Sequence, residues 1–167
     1  MSVDLSSRVV RLALGSMLAA LALQVPTVVS SGAEPPPPSS TCTVIGTEGP
    51  DTLKGTAGAD VICGRGGNDT ISGLGGDDLI RAGDGNDTVN GGYGDDHVLG
   101  SAGDDSVNGS YGNDVLRGEG GADLLNGSAG ADDLGGNAGR DDLRGGGGAD
   151  LIVGGAADDY AVGGADA

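Results

Sequence analysis

The chain contains no Trp and no Phe, only three Tyr and one His, and eight Lys plus Arg against 25 Asp plus Glu. Each shortage excludes something. With almost no aromatics, and one aliphatic residue in every nine over most of the length, 167 residues cannot assemble a thick apolar core. The single imidazole, His97, has no Ser, Cys or acid set around it as a catalytic group, which argues against an enzyme. A net charge of −17 argues against nucleic acid and anionic membranes as partners, since those are held by clustered Lys and Arg. The same charge favours cations.

Two regions are present. In the first, Arg8 and Arg11 precede an apolar run from Leu12 to Leu23, and the small residues Ser30, Ser31, Gly32 and Ala33 follow. This is the order of a secretory signal peptide, so residues 1–33 are expected to be removed and the mature protein to be extracellular, with no membrane attachment afterwards. The run is shorter than the ~20 residues of a spanning helix. Removal takes Asp4, Arg8 and Arg11 with it and shifts the net charge from −17 to −18. Residues 34–45 then read as a stiff Pro-rich linker, Glu34-Pro35-Pro36-Pro37-Pro38, leading into an N-terminal cap.

From Gly46 to Val162 one nine-residue phrase repeats 13 times without insertion or deletion, leaving 163–167 as a tail. The phrase is Gly, variable, variable, Gly, variable, Asp, variable, aliphatic, variable, as in Gly73-Leu74-Gly75-Gly76-Asp77-Asp78-Leu79-Ile80-Arg81. Its sixth place is Asp51, Asp60, Asp69, Asp78, Asp87, Asp96, Asp105, Asp114, Asp123, Asp132, Asp141, Asp150 and Asp159. The first place is Gly except at Ala82, and the fourth is Gly except at Ala157. Gly numbers 37, a content that would mean disorder were it aperiodic. A strict short period means a solenoid instead.

Read physically, the phrase is six turn residues followed by three strand residues. The aliphatic eighth place faces inward while the seventh and ninth face out. Two phrases make an 18-residue coil with two short parallel strands across a thin aliphatic layer, giving an all-β, right-handed parallel β-roll roughly 30 Å long at ~4.8 Å per strand. Alternate aspartates then stack in two columns, one per edge, and carboxylates ~5 Å apart repel unless neutralised. Lys and Arg are too few to do this. A hard divalent cation bound by carboxylates and by the carbonyls of Gly-rich turns resolves both the charge and the unpaired backbone. One ion between each pair of stacked turns allows at most about 11. Sites with a dissociation constant of ~10⁻⁴ M in ~10⁻³ M calcium each add about 1.4 kcal/mol, so folding is expected to depend on Ca2+.

These residues resemble the RTX, or haemolysin-type, calcium-binding nonapeptide-repeat family, whose phrase is G-G-x-G-x-D-x-U-x. Gly91-Gly92-Tyr93-Gly94-Asp95-Asp96-His97-Val98-Leu99 fits every fixed place, as does Gly145 to Val153. The resemblance covers residues 46–162 and implies a calcium-loaded β-roll in which the sixth-place aspartates and turn carbonyls are the ligands. Departures at the second place, among them Thr47, Thr56, Arg65, Leu74, Ser101 and Asn137, imply weaker turns there, and Ala157 with Ala161 a weak last copy.

Smaller features remain on the outside. The seventh place carries Thr52, Thr70, Thr88 and Ser106 on one face and Val61, Leu79, His97 and Val115 on the other. The alternative reading is a calcium-rigidified surface or adhesive module that presents one face to a partner, with ice binding on the Thr ladder a minor variant. Tyr93 and Tyr111, 18 apart, are expected to stack, and His97 to be a solvated side chain. Cys42 and Cys63 suit a disulfide in a secreted chain. In strict register they lie ~10 Å apart, so either the entry segment leaves the register as a cap or the bridge does not form.

Overall fold

The computed structural model describes residues 41–165. The signal peptide expected at 1–33 and the linker up to residue 40 lie outside the described residues. Among the described residues every regular element is a strand: β1 (Val44–Ile45), β2 (Thr52–Lys54), β3 (Val61–Gly66), β4 (Thr70–Gly75), β5 (Leu79–Asp84), β6 (Thr88–Tyr93), β7 (His97–Ala102), β8 (Ser106–Tyr111), β9 (Val115–Gly120), β10 (Leu124–Ala129), β11 (Asp133–Ala138), β12 (Asp142–Gly147), β13 (Leu151–Ala156) and β14 (Tyr160–Ala165). The tail expected from residue 163 is therefore strand as far as Ala165.

Odd strands form one seven-stranded parallel sheet in the order β1-β3-β5-β7-β9-β11-β13, and even strands form the other. Every pairing is offset by 18 residues, for example Ile62 with Ile80 and Ile71 with Val89. This is the β-roll read from the period.

The division of the phrase differs from the expected six turn and three strand residues. From β3 onward each strand takes places seven to nine and continues through the first three places of the next phrase, so only the fourth to sixth places turn. In β3 burial alternates across all six residues: Ile62, Gly64 and Gly66 point in, and Val61, Cys63 and Arg65 point out to differing degrees. The inward first place is a glycine in every full-length strand except β5, where it is the buried Ala82, so half of nearly every strand shows no aliphatic in the sequence. Its glycine is required by close approach: a Cβ at Gly109 would collide with the Asp114 carboxylate. At the fourth place backbone angle decides, with φ of +125° at Gly112.

The core is a single layer. Ile62, Ile71, Ile80, Val89, Val98, Val107, Leu116, Leu125, Leu134 and Leu143 are all at most 1% exposed, each worth ~1.5–3 kcal/mol of burial. Like stacks on like, and the column ends on the partly buried Val44, Leu53 and Ile152.

At the entry, Cys42 and Cys63 form a disulfide with Cα atoms 6.0 Å apart. Of the two alternatives the bridge forms, and the departure from register is confined to the residues before Val44. The strand keeps register, with Val44 opposite Ile62 and Ile45 opposite Cys63, while the chain bends at Thr43 and brings Cys42 back toward Cys63. Closing this 21-residue separation contributes about 3 kcal/mol.

His97 is half-buried rather than freely solvated, and its Nδ1 has no partner among the described residues. Burial holds its pKa below the ordinary value, and the nearby Arg117 and Arg81 push the same way.

Candidate metal centre

The sixth-place aspartates lie where the alternate-turn arithmetic puts them, in two columns, but they are interior groups. From Asp69 to Asp141 each is at most 2% exposed, and Asp60 is 7% exposed. Because the turn is only three residues long, the carboxylate folds back under its own strand instead of projecting from the edge.

One oxygen of each is used by the fold. The backbone N–H of Asp51 donates to Asp69 Oδ1 at 2.8 Å, that of Asp69 to Asp87 at 2.7 Å, and so on to Asp141 and Asp159 at 3.1 Å. The second column repeats this from Asp60 to Asp78 at 2.8 Å through to Asp132 and Asp150 at 3.0 Å. Each carboxylate thus staples its coil to the preceding one.

The other oxygen is orphaned. Oδ2 of Asp69, Asp78, Asp87, Asp96, Asp105, Asp114, Asp123, Asp132, Asp141 and Asp150 is buried without a hydrogen-bond partner among the described residues. Nine of the ten face a first-place glycine at which a Cβ would fill the space; at Gly73 it would meet both Asp78 Oδ2 and the carbonyl of Gly91. A buried unpaired carboxylate oxygen costs several kcal/mol unless something positive reaches it.

Two aspartates escape this. The Thr47 N–H and hydroxyl donate to Asp51 Oδ2 at 2.6 and 2.9 Å, and those of Thr56 to Asp60 Oδ2 at 2.7 and 2.9 Å. The Thr43 hydroxyl donates to Asp60 Oδ1 at 3.0 Å. These bonds hold the Asp60 carboxyl below its ordinary range, Thr56 first among them.

Burial drives the middle of the columns the opposite way. Desolvation raises Asp96 and Asp105 to about 7, and Asp114 and Asp123 to about 6. The neighbouring carboxylates of the same column add to it, Asp114 and Asp78 around Asp96, while the backbone N–H at Oδ1 opposes. Asp78, Asp87 and Asp132 are raised for the same first reason.

Among the described residues no three His, Cys, Asp or Glu side chains are grouped to hold a metal. A cation here must take most of its ligands from the backbone. The turns offer them: the carbonyls of Gly76 and Asp77 accept none of the inter-turn backbone bonds, whereas that of Asp78 accepts from His97 N–H at 2.8 Å. An acidic oxygen beside spare carbonyls is a hard-oxygen set, which suits Ca2+ and not a thiolate- or imidazole-seeking metal. The residues fit that ion.

Fifth-place acids form a ladder of their own with reversed polarity, as in Asp95 N–H to Asp77 Oδ1 at 3.0 Å and Asn113 N–H to Asp95 Oδ1 at 2.7 Å. What a reading of the fixed places missed is the role of Thr47 and Thr56. The signal lay in the variable second place, which is Thr only in the first two copies. Further on, that place has positive φ even without glycine, as at Arg65 (83°), Leu74 (79°) and Ser101 (92°), and the aspartate loses its local donors.

Comparison with curated proteins and with solved structures finds no match. The model of the RTX calcium-binding nonapeptide repeat matches four times, over residues 43–71, 72–107, 99–134 and 135–167. With the period, the glycine cradles and the stacked aspartates all accounted for by that repeat, the chain belongs to the RTX calcium-binding nonapeptide repeat family.

Proposed function

We propose that this is a secreted, non-enzymatic calcium-binding roll whose turns from Asp69 to Asp150 hold Ca2+, and which completes its fold only when calcium is present. The observation that carries the reading is the set of ten buried, unpartnered Oδ2 atoms, one per phrase, in a chain whose cations are too few to reach them. Oδ2 of each of these aspartates and the spare carbonyls of the adjoining fourth- and fifth-place residues would hold the ion. Bound calcium supplies the positive charge that the columns lack.

Asp51 and Asp60 belong to a different class. Their second oxygens are saturated by Thr47 and Thr56, so the first two turns close without metal. Asp159, half-buried behind Ala157, stands at the weak end of the series. The ligand set thus narrows from all 13 sixth-place aspartates to a run of ten.

Circular dichroism of the mature chain during calcium titration from excess chelator tests the proposal. It requires a cooperative gain of β signal as calcium reaches the ~10⁻⁴–10⁻³ M range. Full β signal in chelator, unchanged by millimolar calcium, would sink it. Secretion rests on residues 1–33 and is read separately, from the N-terminal residue of the protein recovered from culture fluid.

A further inference from the structure

Away from the turns, one place on the outer surface is neither acidic nor flat. The rings of Tyr93 and Tyr111 stack with centroids 4.8 Å apart and planes 7° from parallel, yet stay 65% and 57% exposed. Sheet register places Gly75 opposite Tyr93 on the preceding coil, so the residue facing that side of the pair brings no side chain. Leu74, 39% exposed and held at a φ of 79°, stands next to the gap. The result is an open cleft of about 310 Å³ lined by Ser72, Leu74, Asn90, Tyr93, Ser110 and Tyr111.

None of the lining residues carries a charge, on a chain with a net charge of −17. The Ser110 hydroxyl donates to Asn90 Oδ1 at 3.3 Å. That leaves the Asn90 amide N–H groups and the Ser72 hydroxyl without protein partners among the described residues. An aromatic face beside unpaired amide and hydroxyl groups, with no ion pair on offer, suits a ligand that is neutral, apolar on one face and rich in hydroxyls at its rim. An anion would find no cation to meet it. A purely aromatic ligand would displace water from Asn90 and Ser72 without replacing its hydrogen bonds.

We propose that the Tyr93–Tyr111 cleft is a binding site for a neutral saccharide, with a pyranose ring laid on the exposed aromatic pair and its hydroxyls bonded to Asn90 and Ser72. The site uses the roll as a rigid frame and takes no part in holding calcium. It gives one outer face of the chain a chemically defined partner.

The test uses the full mature chain folded in calcium. Neutral hexasaccharides of β-linked glucose, α-linked glucose and β-linked N-acetylglucosamine are titrated separately, following tyrosine fluorescence and the amide resonances of Leu74, Asn90 and Ser110. At least one is expected to saturate with a dissociation constant on the order of 10⁻³ M, as befits a shallow site. Tyr93→Ala should weaken it about tenfold or more, Tyr93→Phe little, and an anionic hexagalacturonate should bind less well. Tyr160→Ala is the control, because Tyr160 is 61% exposed but has no stacked partner among the described residues. The proposal is overturned if none of the three sugars saturates at about ten times that concentration, if binding survives Tyr93→Ala, or if it depends on Tyr160. Circular dichroism of each variant in calcium separates loss of the site from loss of the fold.

Discussion

Without calcium, the roll should be more stable in mild acid than at neutral pH. Asp96 and Asp105 are raised to about 7, and Asp114 and Asp123 to about 6, all from 3.8. In each case the folded-state value lies above the unfolded one. The folded chain therefore holds protons that the unfolded chain has released between about pH 4 and pH 7, and stability present below pH 4 is lost as pH rises through that window. At pH 5 these four groups hold about 3.5 more protons folded than unfolded, a limiting slope of roughly 5 kcal/mol per pH unit. Each column titrates as a coupled set, Asp114 and Asp78 acting on Asp96, so this slope is an upper bound. The assay is the β signal of the mature chain in calcium-free buffer at pH 4.5, 5.5 and 6.5, at constant ionic strength, followed by circular dichroism. A signal that falls as pH rises is expected, because protons stand in for the missing metal in mild acid. In calcium the trend reverses, because the metal displaces those protons and binds better as pH rises. A calcium-free chain with the same β signal at all three values, or more at the highest, would refute the reasoning from burial.

Other consequences separate the two classes of aspartate and test the glycines. Asp105→Asn should lower the number of bound calcium ions measured by equilibrium dialysis, whereas Asp60→Asn should leave it unchanged. Gly109→Ala pushes a methyl group into the Asp114 carboxylate and should cost about 3 kcal/mol or more, seen as a higher calcium midpoint for folding. Leu74→Gly relieves a left-handed φ of 79° and should raise stability in calcium by about 0.5–1 kcal/mol, read as a higher denaturant midpoint.

Much of this molecule is legible in its sequence because one short phrase decides both sheet and core. The 18-residue register, the inward Ile62 to Leu143 column and the two aspartate columns follow from period and alternation alone. What stays hidden is whatever a glycine does without a side chain to show it. From β3 onward the second half of the strand is anchored, except in β5, at Gly64, Gly73 and their counterparts, which read as turn residues until their inward contacts with carboxylates are seen. Hydrogen-bond saturation is equally silent. Asp60 and Asp69 occupy the same place in the phrase, and only the local backbone tells that Thr56 reaches the first while Arg65, at φ 83°, offers nothing to the second. The disulfide depends on the bend at Thr43, a departure of two residues that no period predicts.

Hydrogen exchange across the whole mature chain, in calcium and in excess chelator, tests the central claim most directly. The account predicts strong protection of residues 44–164 in calcium. In chelator, protection should be lost first from the coils containing Asp78 to Asp150. It should persist longest between residues 43 and 72, where Thr47, Thr56 and the Cys42–Cys63 bridge do without metal. Protection in the Asp78–Asp150 coils that is the same with and without calcium would contradict it.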